Sequence, residues 1–540
     1  MSEPPPPPPP QRPDPPSSQS SRPAEVHPSH APVTADRPGA VRRWRVATAL
    51  TAALGLALSG TVYLVMDRRV ENLEDDLAAA ESRTDLGDLL DLMEGLDLGE
   101  LLDDGADALG DEGLGDGGGL GTEDLGVDTA VFECLAPGMT DLNSDSIPDT
   151  EIEEQVRAVR EIVESERGLS ADGELDIEFV PADELQRRVV EMSEEDLDAE
   201  AIAVESRMLA TLGAVEPDLD LAQAQLDALG EGVAGFYNPD TQELVIGSEQ
   251  MDPMGTYVTA HEMVHALADA TFGLPDLDTL ASDEGSDAAL AALSALEGDA
   301  TLYGQMMITT HLSLTDLLTL ELESSGTTAS LDALPHYVER SLSFPYLEGM
   351  SFACHAYLDG DWAAIDDLYA QVPTTSAQIL FPERYASGEE AQDVRDLDGP
   401  DGWQEVHRDT FGAADLLFLL EAPGGDENAA LDDALGRTEA WAGGEVTVWD
   451  RSGDTAVGVV LAEHPDGTDL CDTVREYYGA AFPDAASTAE DDGRHVFDGP
   501  SQSAVIACDG IDEVALGIGP DIDIASAAID VPAGEADTAR

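Results

Sequence analysis

Two stretches of this chain are almost free of charge, although about one residue in five of the whole is acidic. Pro253 to Pro275 holds only Glu262 and Asp269, and Ala288 to Thr315 only Glu297 and Asp299; neither stretch contains an arginine. A solvent-facing helix in such a chain would carry the prevailing charge, so both stretches read as buried helices. Their few carboxylates and histidines are then buried too, and a buried polar group without a partner is costly. A mainly helical core built around a polar centre follows.

The charge balance narrows the partners. The chain has 540 residues, 113 acidic against 24 basic, every basic one an arginine, for a net charge of -89. That excludes nucleic acid and anionic membrane surfaces as partners of the folded part. It fits a surface kept soluble in high salt, where screening weakens self-repulsion. An arginine-only basic set also follows from GC-rich coding.

Organisation is legible along the chain. Residues 1–45 are Pro- and Ser-rich and read as a disordered cytoplasmic tail. Val46 to Met66 is a run of 21 uncharged residues, enough for one transmembrane helix. Arg42, Arg43 and Arg45 precede it, so the N-terminus is expected in the cytoplasm and the bulk outside, in a single-pass cell-membrane protein. The rival is a secretory signal cut after Ala57-Leu58-Ser59; the apolar run continues past that point, which favours an anchor. Residues 67–127 read as an acidic stalk, helical over 70–84 and Gly-rich later. In "DLNSDSIPD", Asp141, Asn143, Asp145 and Asp149 alternate as the oxygen ligands of a Ca²⁺ loop do. Ser146 replaces the preferred glycine there, and the competing reading is an Asx-rich turn capping the next helix.

Residues 128–425 are expected to form one α+β domain, mainly helical with a small mixed sheet. Helical spacing covers 151–166, 183–195, 198–213, 219–229, 256–270 and 287–311, and 331–385 reads as several short helices. Residues 175–180 alternate as a strand, and "GVAGFYNPDTQELVIG" reads as a hairpin turning at Asn238-Pro239-Asp240. Residues 426–530 are expected to be a separate small α/β domain, with 531–540 a tail. Four cysteines outside the cytoplasm permit two disulfides. Cys471 with Cys508 is the expected pair inside the small domain, leaving Cys134 with Cys354.

The charge-poor helices carry the chemistry. In "TYVTAHEMVHALAD", His261 and His265 are four apart and share a helix face, so both imidazoles can reach one ion. Glu262 lies about 100° round the helix, placed to reach a water on that ion without being a ligand. The donor set suits Zn²⁺, which acidifies its water. Glu297 on the next apolar helix is the expected third ligand, with Asp299 the alternative. Asp299 is otherwise expected behind the centre, holding a ligating histidine in its tautomer. The competing readings are core histidines bonded to backbone, and carboxylates facing a polar cleft.

HExxH followed by Glu on a later helix resembles the gluzincin group of zinc metallopeptidases, which includes thermolysin. The interval from His265 to Glu297 is somewhat longer than is usual there. A closer resemblance is to a family of bacterial zincin-like proteins, carried by "GFYNPDTQELVIG" (235–247), "HEMVHALADATFGL" (261–274), "ALEGDAT" (295–301), "FPYLEGMSF" (344–352), "DWAAIDDLY" (361–369), "VPTTSAQILFPERY" (372–385) and "WAGGE" (441–445). Order and spacing agree over about residues 230–450. Phe381 stands where that family has His, and Ala268 where it often has Gln. The resemblance implies peptide-bond hydrolysis with Glu262 as general base, and an edge strand before the active helix to hold an extended peptide. It also implies a second electrophile for the oxyanion. Tyr303, His311, His336, Tyr337, Tyr346 and His355 are available, and Tyr303, about two turns beyond Glu297, ranks first. The rival functions are a zincin-like scaffold that binds metal or peptide without turnover, and a structural surface protein with incidental histidines.

Overall fold

Helix α5, Pro253–Phe272, starts where the Asp252 carboxylate accepts the Gly255 N–H at 2.7 Å and Pro253 occupies the first turn. It is buried continuously from Gly255 to Ala268. The computed structural model describes residues 150–530, with Val131, Cys134, Leu135 and Ile147 ahead of them and gaps at 174, 197, 249, 314, 318, 321–333, 466, 468, 490–493 and 509–512. The expected tail, transmembrane helix, stalk and Ca²⁺ loop lie outside the described residues. Among the described residues no helix is long and apolar enough to cross a membrane.

Ahead of α5 come α1 (Ile152–Glu166), β1 (Asp176–Phe179), α2 (Ala182–Asp196), α3 (Ala199–Leu212), α4 (Leu221–Gly232), β2 (Gly235–Asn238) and β3 (Glu243–Ile246). The three strands form a mixed sheet in the order β1-β3-β2, with β1 parallel and β2 antiparallel to β3. Then follow α6 (Leu277–Asp283), α7 (Ser286–His311) and α8 (His336–Ala370). Residues 331–385 were expected as short helices. Instead α8 runs unbroken for 24 residues, to Gly360 and Asp361, whose non-helical backbone angles kink it. Two short helices, α9 (Ser376–Leu380) and α10 (Pro382–Ser387), follow it. One core joins α1, the mixed sheet, α5 and α7 through Val163, Ile246, Val264 and Met307.

The rest is β4 (Gln404–Thr410), α11 (Ala413–Glu421), α12 (Ala434–Thr438), β5 (Trp441–Arg451), β6 (Asp454–Glu463), α13 (Leu470–Ala481), β7 (Ala486–Ala489), β8 (Arg494–Asp498), β9 (Ser503–Cys508), β10 (Glu513–Gly519) and α14 (Ile522–Ala527). Seven of these strands make a sheet in the order β4-β5-β6-β10-β9-β8-β7, antiparallel throughout. β4, ahead of the boundary expected at 426, belongs to this sheet, and the sheet packs on α3 and α11 in one core with Leu209, Leu212 and Leu416. Tyr477 donates to the Leu212 carbonyl at 2.5 Å, and the Gln502 amide to Thr211 at 3.0 Å. β4 was missed because "QEVHRDT" is polar, as one face of an edge strand can be. Both disulfides join the pairs expected, Cys134–Cys354 and Cys471–Cys508. The described fold is α+β and mainly helical.

Candidate metal centre

His261 and His265 stand one turn apart on α5 and face Glu297 near the middle of α7. The His261 Nε2 is 3.1 Å from the His265 Nε2 and 3.2 Å from the Glu297 Oε2; the His265 Nε2 is 3.3 Å from that same oxygen. Zinc bonds of about 2.0–2.1 Å in tetrahedral array require ligand atoms about 3.3 Å apart. The observed triangle has that edge length within a few tenths of an ångström. It is the one group of three such residues, among those described, whose donor atoms converge for a metal ion. Relative exposures of 0 % for His261, 6 % for His265 and 1 % for Glu297 leave water little access.

The charges favour a cation. Burial holds His261 below the usual imidazole range. Burial opposes protonation of His265 as well, but Glu297 and Glu262 outweigh it and push that ring up to about 9. Burial would raise the Glu297 carboxyl; the neighbouring His265 and hydrogen bonds from both rings hold it below the usual range. Two nitrogens and an oxygen thus converge on one point, with ionised carboxylate already present. His261 Nδ1 is buried and has no hydrogen-bond partner.

Around the triad, Glu262 is fully buried, and its negative charge reaches His265, Tyr257 and Tyr346. Tyr346 from α8 faces His261 with its ring inclined by 30°, centroids 6.4 Å apart, and Tyr257 lies 6.1 Å away on the helix itself. The Tyr346 hydroxyl is buried with no partner. Tyr346 is among the six aromatic and histidine candidates for the electrophile, and it comes to the centre because α8 crosses α7 there.

Two expectations are corrected. Asp299 bonds neither histidine. Its oxygens accept from Arg167 at 2.8 and 3.0 Å and from the Tyr369 hydroxyl at 2.8 Å. The cation that Asp299 needs is therefore an arginine at the end of α1, 132 positions earlier. Nothing local in the sequence marks that pairing. Tyr303 points away from the triad, because 6 residues after Glu297 is well off the face Glu297 occupies. Its hydroxyl reaches Glu166 at 3.4 Å and its ring packs on Trp362. His311 pairs with Glu166 at 2.8 Å and His336 with Glu421 at 3.0 Å. Tyr337 donates to Asp415. Phe381 is buried in the core shared with the C-terminal sheet, under the Arg384 guanidinium, and Ala268 in the core beneath α5.

No family model matches the chain, and no curated protein or solved structure matches it.

Proposed function

We propose that the chain is a gluzincin-like zinc metallopeptidase, held outside the cell membrane by the segment 46–66. The observation that carries the reading is the triangle of His261, His265 and Glu297 donor atoms, 3.1–3.3 Å on edge, between two buried helices that are poor in charge. Zinc there would polarise a peptide carbonyl and acidify a water.

The chain's own groups do the rest. Glu262, next in sequence to a ligand, takes a proton from the attacking water on a carboxylate oxygen and returns it to the leaving amine nitrogen. Its burial strengthens the electrostatic coupling to the centre. β2 lies at an edge of the mixed sheet and packs on α5, where a Cβ on Gly235 would meet Val258. The rival, a scaffold that holds metal without turnover, draws on one observation: Glu262 is 0 % exposed.

Metal content and cleavage separate them. The purified full-length chain is expected to hold one zinc, measured by mass spectrometry, and to lose it in His265→Ala and Glu297→Ala. Glu262→Gln should keep the zinc and lose at least about 100-fold in peptide hydrolysis. A folded parent with no zinc would sink the reading, and zinc without Glu262-dependent cleavage would establish the scaffold instead.

A further inference from the structure

We infer that the junction between the start of α7 and the C-terminal sheet is a proton-operated latch: Asp287, Asp409 and Asp415 share a buried network that holds one proton, and the junction loosens when that proton leaves. The latch is separate from the metal centre and does not depend on the metallopeptidase reading.

Three helices begin at this place. The first residues of α7 hang on β4: the Ser286 N–H donates to the Asp409 carboxylate at 3.0 Å, and the Asp287 N–H to the Thr410 hydroxyl at 3.0 Å. The Asp287 carboxylate turns to α9, where it accepts from the Ser376 N–H at 3.2 Å and from the Ser376 hydroxyl. That hydroxyl in turn accepts from the Ala414 N–H at the start of α11, at 2.9 Å. Asp415, one residue on, accepts from the Gly412 N–H at 2.7 Å and from the Tyr337 hydroxyl of α8. The pieces are close-packed, since a Cβ on Gly412 would fall on the Asp287 carboxylate. Asp287 and Asp409 are both buried.

The charge at the junction is unbalanced. Every donor to these oxygens is a neutral N–H or hydroxyl, and among the described residues none is an arginine. The other titratable groups facing them are Glu205 of α3, a fourth acid, and Tyr337. The five residues of α9 bring none. Elsewhere a buried acid has a guanidinium: Asp299 has Arg167, and Glu421 has Arg340 at 2.9 Å. Acids that share one dry network cannot all ionise without repulsion, so a proton stays among them. Burial, reinforced by the charges of Asp415 and Asp409, pushes Asp287 up to about 7; burial, with Asp409 and Glu205, pushes Asp415 up to about 6. An ordinary aspartate titrates near pH ~4, so the folded chain keeps the proton across an interval where the unfolded chain has lost it. Stability from the latch is therefore full below that ordinary value, falls as the pH rises toward about 7, and is gone above it. A cavity of about 170 Å³, lined by Asp287 and Asp415 and reaching half-exposed Gln225 and Ser341, gives the proton a route to solvent.

The test follows the melting temperature of the full-length chain from about pH 5 to about pH 8, with its metal content held constant, beside Asp287→Asn. The parent's melting temperature should fall by more than the variant's, because asparagine keeps an acceptor for Ser376 and has no such proton to lose. Amide exchange, corrected for its intrinsic pH dependence, reads the junction itself. Protection over residues 285–292 should drop at least tenfold in the parent and much less in the variant, while protection over 255–268 changes little in either. A variant whose melting temperature runs parallel to the parent's at every pH would overturn the latch and leave Asp287 a plain structural contact. Where Asp287→Asn does not fold, Asp415→Asn decides. It leaves the Ser376 bonds in place and removes a neighbouring charge, so the parent's fall should move to lower pH; an unmoved fall would overturn the proposal.

Discussion

Arg167 is the residue on which the surroundings of the triad depend most. Its relative exposure is 1 %, its guanidinium grips Asp299 through two bonds and Asp366 at 2.7 Å, and it lies 4.7 Å over the Trp362 ring. Asp299 is two residues beyond Glu297, so whatever fixes Asp299 fixes the turn that carries Glu297. Arg167→Met would leave a buried carboxylate without its cation. A loss of about 3–5 kcal/mol is expected, read as a lower denaturant midpoint, together with weaker zinc binding. Adding Asp299→Asn should recover much of it, because the unpaired charge is then gone. An unchanged midpoint in Arg167→Met would show that the pair contributes nothing net. His265 acts in the opposite way. It is held protonated by the carboxylates around it, and a metal ion would replace that proton.

At the scale of elements, the centre exists because α7 and α8 approach without side chains between them. A Cβ on Gly298 would fall on the Gly349 carbonyl, and one on Gly349 on the Ser294 carbonyl. Both obstacles are backbone and cannot swing aside. The contact lies beside Glu297 and brings Tyr346, one turn earlier on α8, over His261. Gly298→Ala is expected to push the helices apart, destabilise by about 1–3 kcal/mol or more, and lower zinc affinity measured by competition with a chelator. Gly388→Ala is a useful contrast. There a Cβ meets nothing within 4 Å but the backbone is left-handed at φ +69°, so stability should fall by about 1 kcal/mol with zinc affinity unchanged. Equal loss of zinc affinity in both would refute the geometric account.

For the whole molecule, charge and core are separate problems solved in separate places. With 113 acidic and 24 basic residues, the surface repels itself, and the arginines are committed to particular partners such as Asp299, Glu421 and Glu445. Screening shortens the reach of that repulsion from about 10 Å at 0.1 M salt to about 3 Å at 1 M. The melting temperature should therefore rise between those concentrations, followed by circular dichroism with the metal content held constant. A falling melting temperature would mean that the ion pairs matter more than the net repulsion. The shared core of α3, α11 and the seven-stranded sheet further predicts one cooperative transition for the described residues rather than two.

The sequence by itself determined which helices are buried, because charge is so plentiful in this chain that its absence over 253–275 and 288–315 has a single physical meaning. It also determined the pair of apolar helices, the face shared by His261 and His265 and the mixed sheet, and it narrowed the carboxylate facing them to Glu297 or Asp299; the fold brings Glu297 to the histidines. The sequence's own share follows from local periodicity or from the scarcity of polar groups. Only the tertiary structure decided which partner each buried group meets. Arg167 reaches Asp299 across 132 positions, Tyr346 displaces Tyr303 beside the triad, and β4 joins a sheet from which the sequence had separated it. Those outcomes depend on helix crossings and strand pairings between distant segments, and helix crossings in turn depend on contacts as small as two missing side chains at Gly298 and Gly349.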